Sequence, residues 1–202
     1  MYDAPPASPF FPLSFRVVDF SLPSFHRGTF AYEIIDRIYC MDADDMHLYL
    51  LLHTRIHVVS RSDATLRHFI GGVVDHGFPA TTPGYIHFGH KLCVMRQGSS
   101  APRVAVSELR PVRISIFTFE GALLRFWDMD AIPWICAYHA VSNELVVHDD
   151  SDVMVIFKGL MSVGVADVVI TRSVVHRMPS AMEFCGDTAI AVYQDGRSHS
   201  YV

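Results

Sequence analysis

Four dipeptides of an apolar residue and proline, Leu22-Pro23, Phe78-Pro79, Ile132-Pro133 and Met178-Pro179, divide the chain at spacings of 56, 54 and 46 residues. Nothing else in the sequence constrains the fold as strongly. Proline fixes φ and donates no hydrogen bond, so it suits the entry to a strand or the link between sheets and not the middle of a ladder. Between the prolines, short runs rich in Val, Ile, Phe and Tyr are broken by Gly, Asp, Ser and Pro, while apolar residues seldom recur at helical spacing. Sixteen candidate strands result, from Phe15–Phe20 to Ser198–Val202. Thr29–Asp36 alone is held open as a helical turn or two.

The groups resemble one another. The stretch "IHVVSRSDATLRHF" (Ile56–Phe69) aligns without a gap with "ISIFTFEGALLRFW" (Ile114–Trp127), pairing Val58 with Ile116, Ala64 with Ala122, Leu66 with Leu124 and Phe69 with Trp127. Each is a strand-turn-strand unit. A repeat of this length, made of a four-stranded antiparallel meander, is the sequence signature of a β-propeller. The expected fold is all-β, a small β-propeller-like array of such meanders.

Residues 1–13 read as a Pro-rich flexible leader, with no basic residue before Arg16 to make a targeting segment. Residues 14–202 read as a single domain with units of approximately 23–78, 79–132, 133–178, and 179–202 joined by 14–22. The fourth unit supplies only three strands, and 14–22 is an orphan strand. Pairing the two would close the ring and remove two open edges. An open half-ring that dimerises, or an irregular barrel, is the competing arrangement.

The third strands "RIHVV" (Arg55–Val59) and "RISIF" (Arg113–Phe117), each followed by a turn, a fourth strand and a new X-Pro, are similar to the blades of NHL-repeat and related WD40-type propellers. The aspartate that such blades place at the end of the second strand is His53 in the first unit and missing from the second. Asp149 and Asp195 stand near that place in the third and fourth. The resemblance implies the architecture.

Several function classes are disfavoured. No apolar run approaches the roughly 20 residues of a membrane span, the most concentrated being Leu48–Leu52. A net charge of -5 opposes broad binding to nucleic acid, and of 16 basic residues only Lys91 and Lys158 are lysine. Cys40, Cys93, Cys136 and Cys185 are far apart and lie inside apolar runs, which points to reduced thiols and an intracellular, reducing compartment, cytoplasmic or nuclear. No P-loop, G-x-S-x-G, H-E-x-x-H or C-x-x-C motif occurs. No cofactor is expected.

Within the second unit, Tyr85–Phe88, Lys91–Met95, Arg113–Phe119 and Ala122–Trp127 read as strands one to four. Arg96–Val112 is then an insertion of about seventeen residues between strands two and three. It carries Arg96, Arg103 and Arg110 against Glu108 in an acidic protein. Long loops in compact domains are usually functional or disordered, so Arg96, Arg103, Val104, Val106 and Arg110 are the candidate partner-binding residues, with "VAVSEL" as an added strand or short helix.

Candidate metal ligands are Asp42, His53, His87, His148 and Asp149. His87 and His90 stand in "HFGH", His53 and His57 flank a turn, and the acidic clusters 42–45 and 148–152 sit at turns expected on opposite faces. Each has an ordinary reading as strand-end imidazole or turn carboxylate. Trp127 and Trp134 read as core.

The expected function is therefore a non-catalytic protein–protein interaction module, part of a larger assembly, docking through 96–112. The alternative is a metal-dependent propeller hydrolase or lyase with His and Asp ligands in the central channel. A protein partner is expected, no membrane or nucleic acid, and a homo-oligomer is possible.

Overall fold

The computed structural model describes residues 38–72, 84–161, 168–174, 179–185, 188–192 and 198–201. The chain divides into two units, Met1–Ile35, outside the described residues, and Asp36–Val202, to which the following refers. The leader, the orphan strand 14–22 and Thr29–Asp36 are likewise outside them.

Fifteen strands form among the described residues. The first sheet holds β1 (Cys40–Ala43), β2 (His47–Leu51), β3 (Ile56–Ser60) and β4 (Leu66–Ile70). The second holds β5 (Gly89–Met95), β6 (Arg103–Leu109), β7 (Val112–Thr118) and β8 (Leu123–Asp128). In the third are β9 (Pro133–His139), β10 (Glu144–Asp149), β11 (Val153–Lys158) and β12 (Val169–Val174), and in the fourth β13 (Ala181–Cys185), β14 (Thr188–Val192) and β15 (Ser198–Tyr201). Every sheet is an antiparallel meander in chain order. The first strands are innermost: β1 lies against β5, β5 against β9, and β9 against β13.

The alternation of each strand explains the stacking. Tyr49, Leu51, Ile56, Val58 and Ile70 of the first sheet pack with Leu92, Val104, Val106 and Phe117 of the second. The other face of the second sheet gives Cys93, Met95, Ala105, Ile114 and Ile116, which meet Tyr138, Leu145, Val147, Val155 and Phe157 of the third. The inner strands β5, β6 and β7 of the second sheet are thus packed on both sides, while the outer strand β8 is partly exposed. Fully burying one such Leu, Ile or Phe contributes about 1.5–3 kcal/mol, so these two seams hold most of the described core.

The aligned stretches Ile56–Phe69 and Ile114–Trp127 are β3–β4 and β7–β8. Their likeness extends to a defect: the register slips between Val58 and Val59 in one and between Ile116 and Phe117 in the other, which are aligned positions. A bulge at an outer strand increases twist and blunts the edge.

Two expectations for the second unit are corrected. Tyr85–Phe88 is not a strand, and 96–112 is not an inserted loop: Arg103–Leu109 is β6, paired along its whole length with β5 and β7. The physical reason lies in a buried ion pair. Glu108 and Arg113 face each other across β6 and β7 at 0% and 2% exposure. Arg113 Nε donates to Glu108 Oε1 at 2.8 Å, Ser115 Oγ donates to the same oxygen at 2.6 Å, and Arg113 Nη2 donates to the carbonyl of Tyr85 at 2.9 Å. The His87 N–H donates to Glu108 Oε2 at 3.1 Å. Side chains thereby satisfy backbone groups in the linker Tyr85–Phe88 that a ladder would otherwise have to serve, and Ile86, fully buried, pins it to the first seam.

Candidate functional site

The expected docking residues separate. Val104 and Val106 are 0% exposed, packed inside the first seam. Arg103 begins β6 and Arg110 follows its end, so the strand holds them roughly 20 Å apart at its rise of about 3.3 Å per residue. Arg96 pairs with Asp45, tying the second sheet to the β1–β2 turn. These three arginines are therefore not one basic surface.

What remains of 96–112 as a turn is Arg96–Pro102, between β5 and β6. Two clefts flank it. One, of about 420 Å³, is bounded by Ala43, Asp44, Asp45, Val94, Arg96 and Gly98. Asp44 is fully engaged there, since its Oδ1 accepts from the backbone of Met46 and His47 at 2.7 Å each and its Oδ2 accepts from the Tyr49 hydroxyl at 2.7 Å. Burial raises the Tyr49 phenol far above its ordinary value, so it stays protonated as the donor.

The other cleft, of about 370 Å³, lies between the β5–β6 turn, the β7–β8 turn and the turn after β11; Pro102, Arg103, Phe119, Glu120, Leu124 and Met161 line it. Apolar side chains and the charged Arg103 and Glu120 share its lining. Local chemistry builds it: Arg103 Nη1 donates to the carbonyl of Leu160, and Asn143 Oδ1 accepts from Met161 N–H and from the Tyr138 hydroxyl, both at 3.1 Å. Leu124, the residue left unpaired by the bulge in β8, is 37% exposed.

The candidate metal ligands do not converge. Asp42 links β1 to β5, with its Oδ2 accepting from Val94 N–H at 2.7 Å; burial, and then Asp44, push its carboxyl above the usual range against that hydrogen bond. His53 lies at the β2–β3 turn, its Nδ1 3.2 Å from the Tyr39 hydroxyl and its ring 4.0 Å from that of Phe88. His87 stands in the linker before β5. His90 packs edge-on against Trp134 at 4.7 Å, and burial followed by Lys91 lowers its imidazole. His148 and Asp149 end β10, where Asp149 Oδ1 accepts from the N–H and hydroxyl of Ser151 and from Val153 N–H, an Asx turn. Among the described residues no three His, Cys, Asp or Glu side chains are grouped so as to hold a metal ion. Of the two tryptophans, Trp127 packs on Phe157 at 5.2 Å beside the second seam, as expected for core.

Sequence reasoning missed the cleft at Leu124. No local pattern marks it, since Leu124-Arg125 repeats Leu66-Arg67 of the aligned β4 and the turns that line the cleft are far apart in sequence.

No family model matches the chain, and no curated protein matches it in sequence. Among solved structures it is similar to BBS1N crystallised in complex with ARL6DN, at 14% identity and a TM-score of 0.60 over 83% of this chain and 52% of that one. It is also similar to BamB from Moraxella catarrhalis, at 11% identity and a TM-score of 0.55 over 83% and 45%, and to the computationally designed Ika4 protein, at 11% and 0.54 over 82% and 91%. The chain spans about half the length of BBS1N and BamB. At these identities the likeness is one of fold: the chain is β-propeller-like, without assignment to the NHL or WD40 type.

Proposed function

We propose that this protein is a protein–protein interaction module, a component of a larger assembly, that receives an extended segment of its partner in the cleft around Leu124. The observation that carries the reading is that cleft, lined by Pro102, Phe119, Leu124 and Met161 together with Arg103 and Glu120, on a scaffold whose inner strands β5–β7 are packed on both faces. A concave pocket lined in this way suits a single aliphatic or aromatic anchor, which supplies most of the affinity of such contacts. The solved complex of BBS1N with ARL6DN supports it at the level of architecture. The docking turn is Arg96–Pro102, since β6 belongs to the sheet. We place the protein in a reducing compartment, with Cys40, Cys93 and Cys136 as free thiols.

Affinity enrichment from the native source with quantitative mass spectrometry, comparing the intact chain with Leu124→Glu, tests this reading. A partner recovered in one-to-one amount by the intact chain and at least tenfold depleted with the folded variant supports it. Equal recovery, or no stoichiometric partner, contradicts it.

A further inference from the structure

Cysteines separated by 53, 43 and 49 residues in sequence fall one on each innermost strand: Cys40 on β1, Cys93 on β5, Cys136 on β9 and Cys185 on β13. Two of them share a seam. Cys93 stands opposite Ala105, which stands opposite Ile116, while Cys136 stands opposite Val147, which stands opposite Val155. Ala105, Ile116, Val147 and Val155 belong to one buried cluster, of which Cys93 is a member and against which Cys136 packs. The two side chains therefore project into the same space between the second and third sheets, with the Cys136 thiol the foremost influence on that of Cys93.

Cys40, although near enough to Cys136 to feel its charge, is held by a backbone carbonyl. Its S–H donates to the carbonyl of Leu92 at 3.8 Å, as the Asp42 carboxylate takes the N–H of Val94 at 2.7 Å, so both β1 side chains hold the backbone on either side of Cys93. We propose that Cys93 and Cys136 are a redox-sensitive pair that closes to a disulfide joining the inner strands of the second and third sheets.

The two thiols are unequal in access. Cys93 is 6% exposed, whereas Cys136 is half-buried. With a small disulfide of the glutathione type as oxidant, the Cys136 thiolate attacks one sulfur, forms a mixed disulfide and expels one glutathione thiolate. Cys93, already in contact, then attacks the Cys136 sulfur and expels the second. The S–S bond of the oxidant breaks, the protein S–S bond forms, and the two cysteine protons end on the two released thiols. No charge is left in the seam, which an apolar lining favours. The Cys136 thiol and burial hold the Cys93 thiol well above its ordinary value, so the second step is slow at neutral pH and accelerates as the pH rises.

The test treats the full chain with oxidised glutathione and reads non-reducing peptide mass spectra and thermal unfolding. The expected result is a Cys93–Cys136 linked peptide and a midpoint raised by roughly 5–10 °C, from the entropy lost by the cross-linked unfolded chain. Both are reversed by dithiothreitol, unchanged in Cys40→Ser and absent in Cys136→Ser. Free thiols at both positions, a glutathione adduct that persists on Cys136, or a cross-link to Cys40 would each overturn the proposal. Because the readouts need no partner, the result is independent of the interaction reading.

Discussion

Glu108 and Arg113 are direct cross-strand neighbours on β6 and β7, joined by an ion pair of 2.8 Å at 0% and 2% exposure. The pair organises the linker as well as the sheet, because it holds the carbonyl of Tyr85 and the N–H of His87. Removing one partner leaves the other charge buried and alone. Glu108→Ala is expected to cost about 3–5 kcal/mol, seen as a lowered midpoint in urea. Replacing both residues by apolar ones of similar volume should cost clearly less, and equal losses would show that the charges are not what matters.

The segment Arg103–Leu109 was legible as apolar and alternating, yet reads as an insertion because charged residues at 103, 108 and 110 count as solvent-facing in a sequence. Tyr85–Phe88 errs in the opposite sense, since an aromatic, β-rich run is here held by a buried side-chain network, which no local pattern reveals. By contrast the hairpin β3–β4 is readable down to its boundaries and β7–β8 to within one residue at each end, because alternation and turn residues are local. Three-dimensional convergence was not readable. Cys93 and Cys136 meet through sheet stacking, and the cleft at Leu124 is assembled from three turns distant in sequence.

Because β6 is paired on both edges, its amides exchange slowly. Hydrogen exchange is expected to show protection across Val104–Glu108 and rapid exchange at Gly98–Ser100, which lie in the exposed turn. Val106→Asp should unfold the protein or cost several kcal/mol, while Ser99→Asp should change stability by less than about 0.5 kcal/mol.

Glycine 121 closes the β7–β8 turn at φ +93°, and a Cβ there would meet the carbonyl oxygen of Phe69 in the first sheet at 3.2 Å. Nearby, the His68 imidazole N–H donates to the carbonyl of Phe119 at 2.6 Å. Gly121→Ala combines left-handed strain with that contact and is expected to cost about 1–3 kcal/mol. Gly98→Ala, at φ +56° with nothing within 4 Å, should cost less. Thermal unfolding of the two variants side by side decides it.

Burial lowers the His148 imidazole, although Asp149 and Asp152 act against it. The unfolded chain binds this proton more readily than the folded one, so the contribution is complete above the ordinary histidine value of about 6.5 and is lost as the pH falls below it. His90 is lowered in the same direction. The urea midpoint should therefore fall between pH 7 and pH 5.5, less steeply in His148→Phe and least in the His90→Phe, His148→Phe double variant. A slope unchanged in all three would exclude both histidines as its source.

The central claim, that a partner enters the cleft at Leu124, is tested most directly by placing a photo-activated benzoylphenylalanine at position 124 in one protein and at position 110 in another. Arg110 is exposed in the β6–β7 turn, at the other strand end. Irradiation in the native extract is expected to give one dominant adduct from position 124 and none from position 110. Adducts from position 110 alone, or identical adducts from both, would contradict the claim.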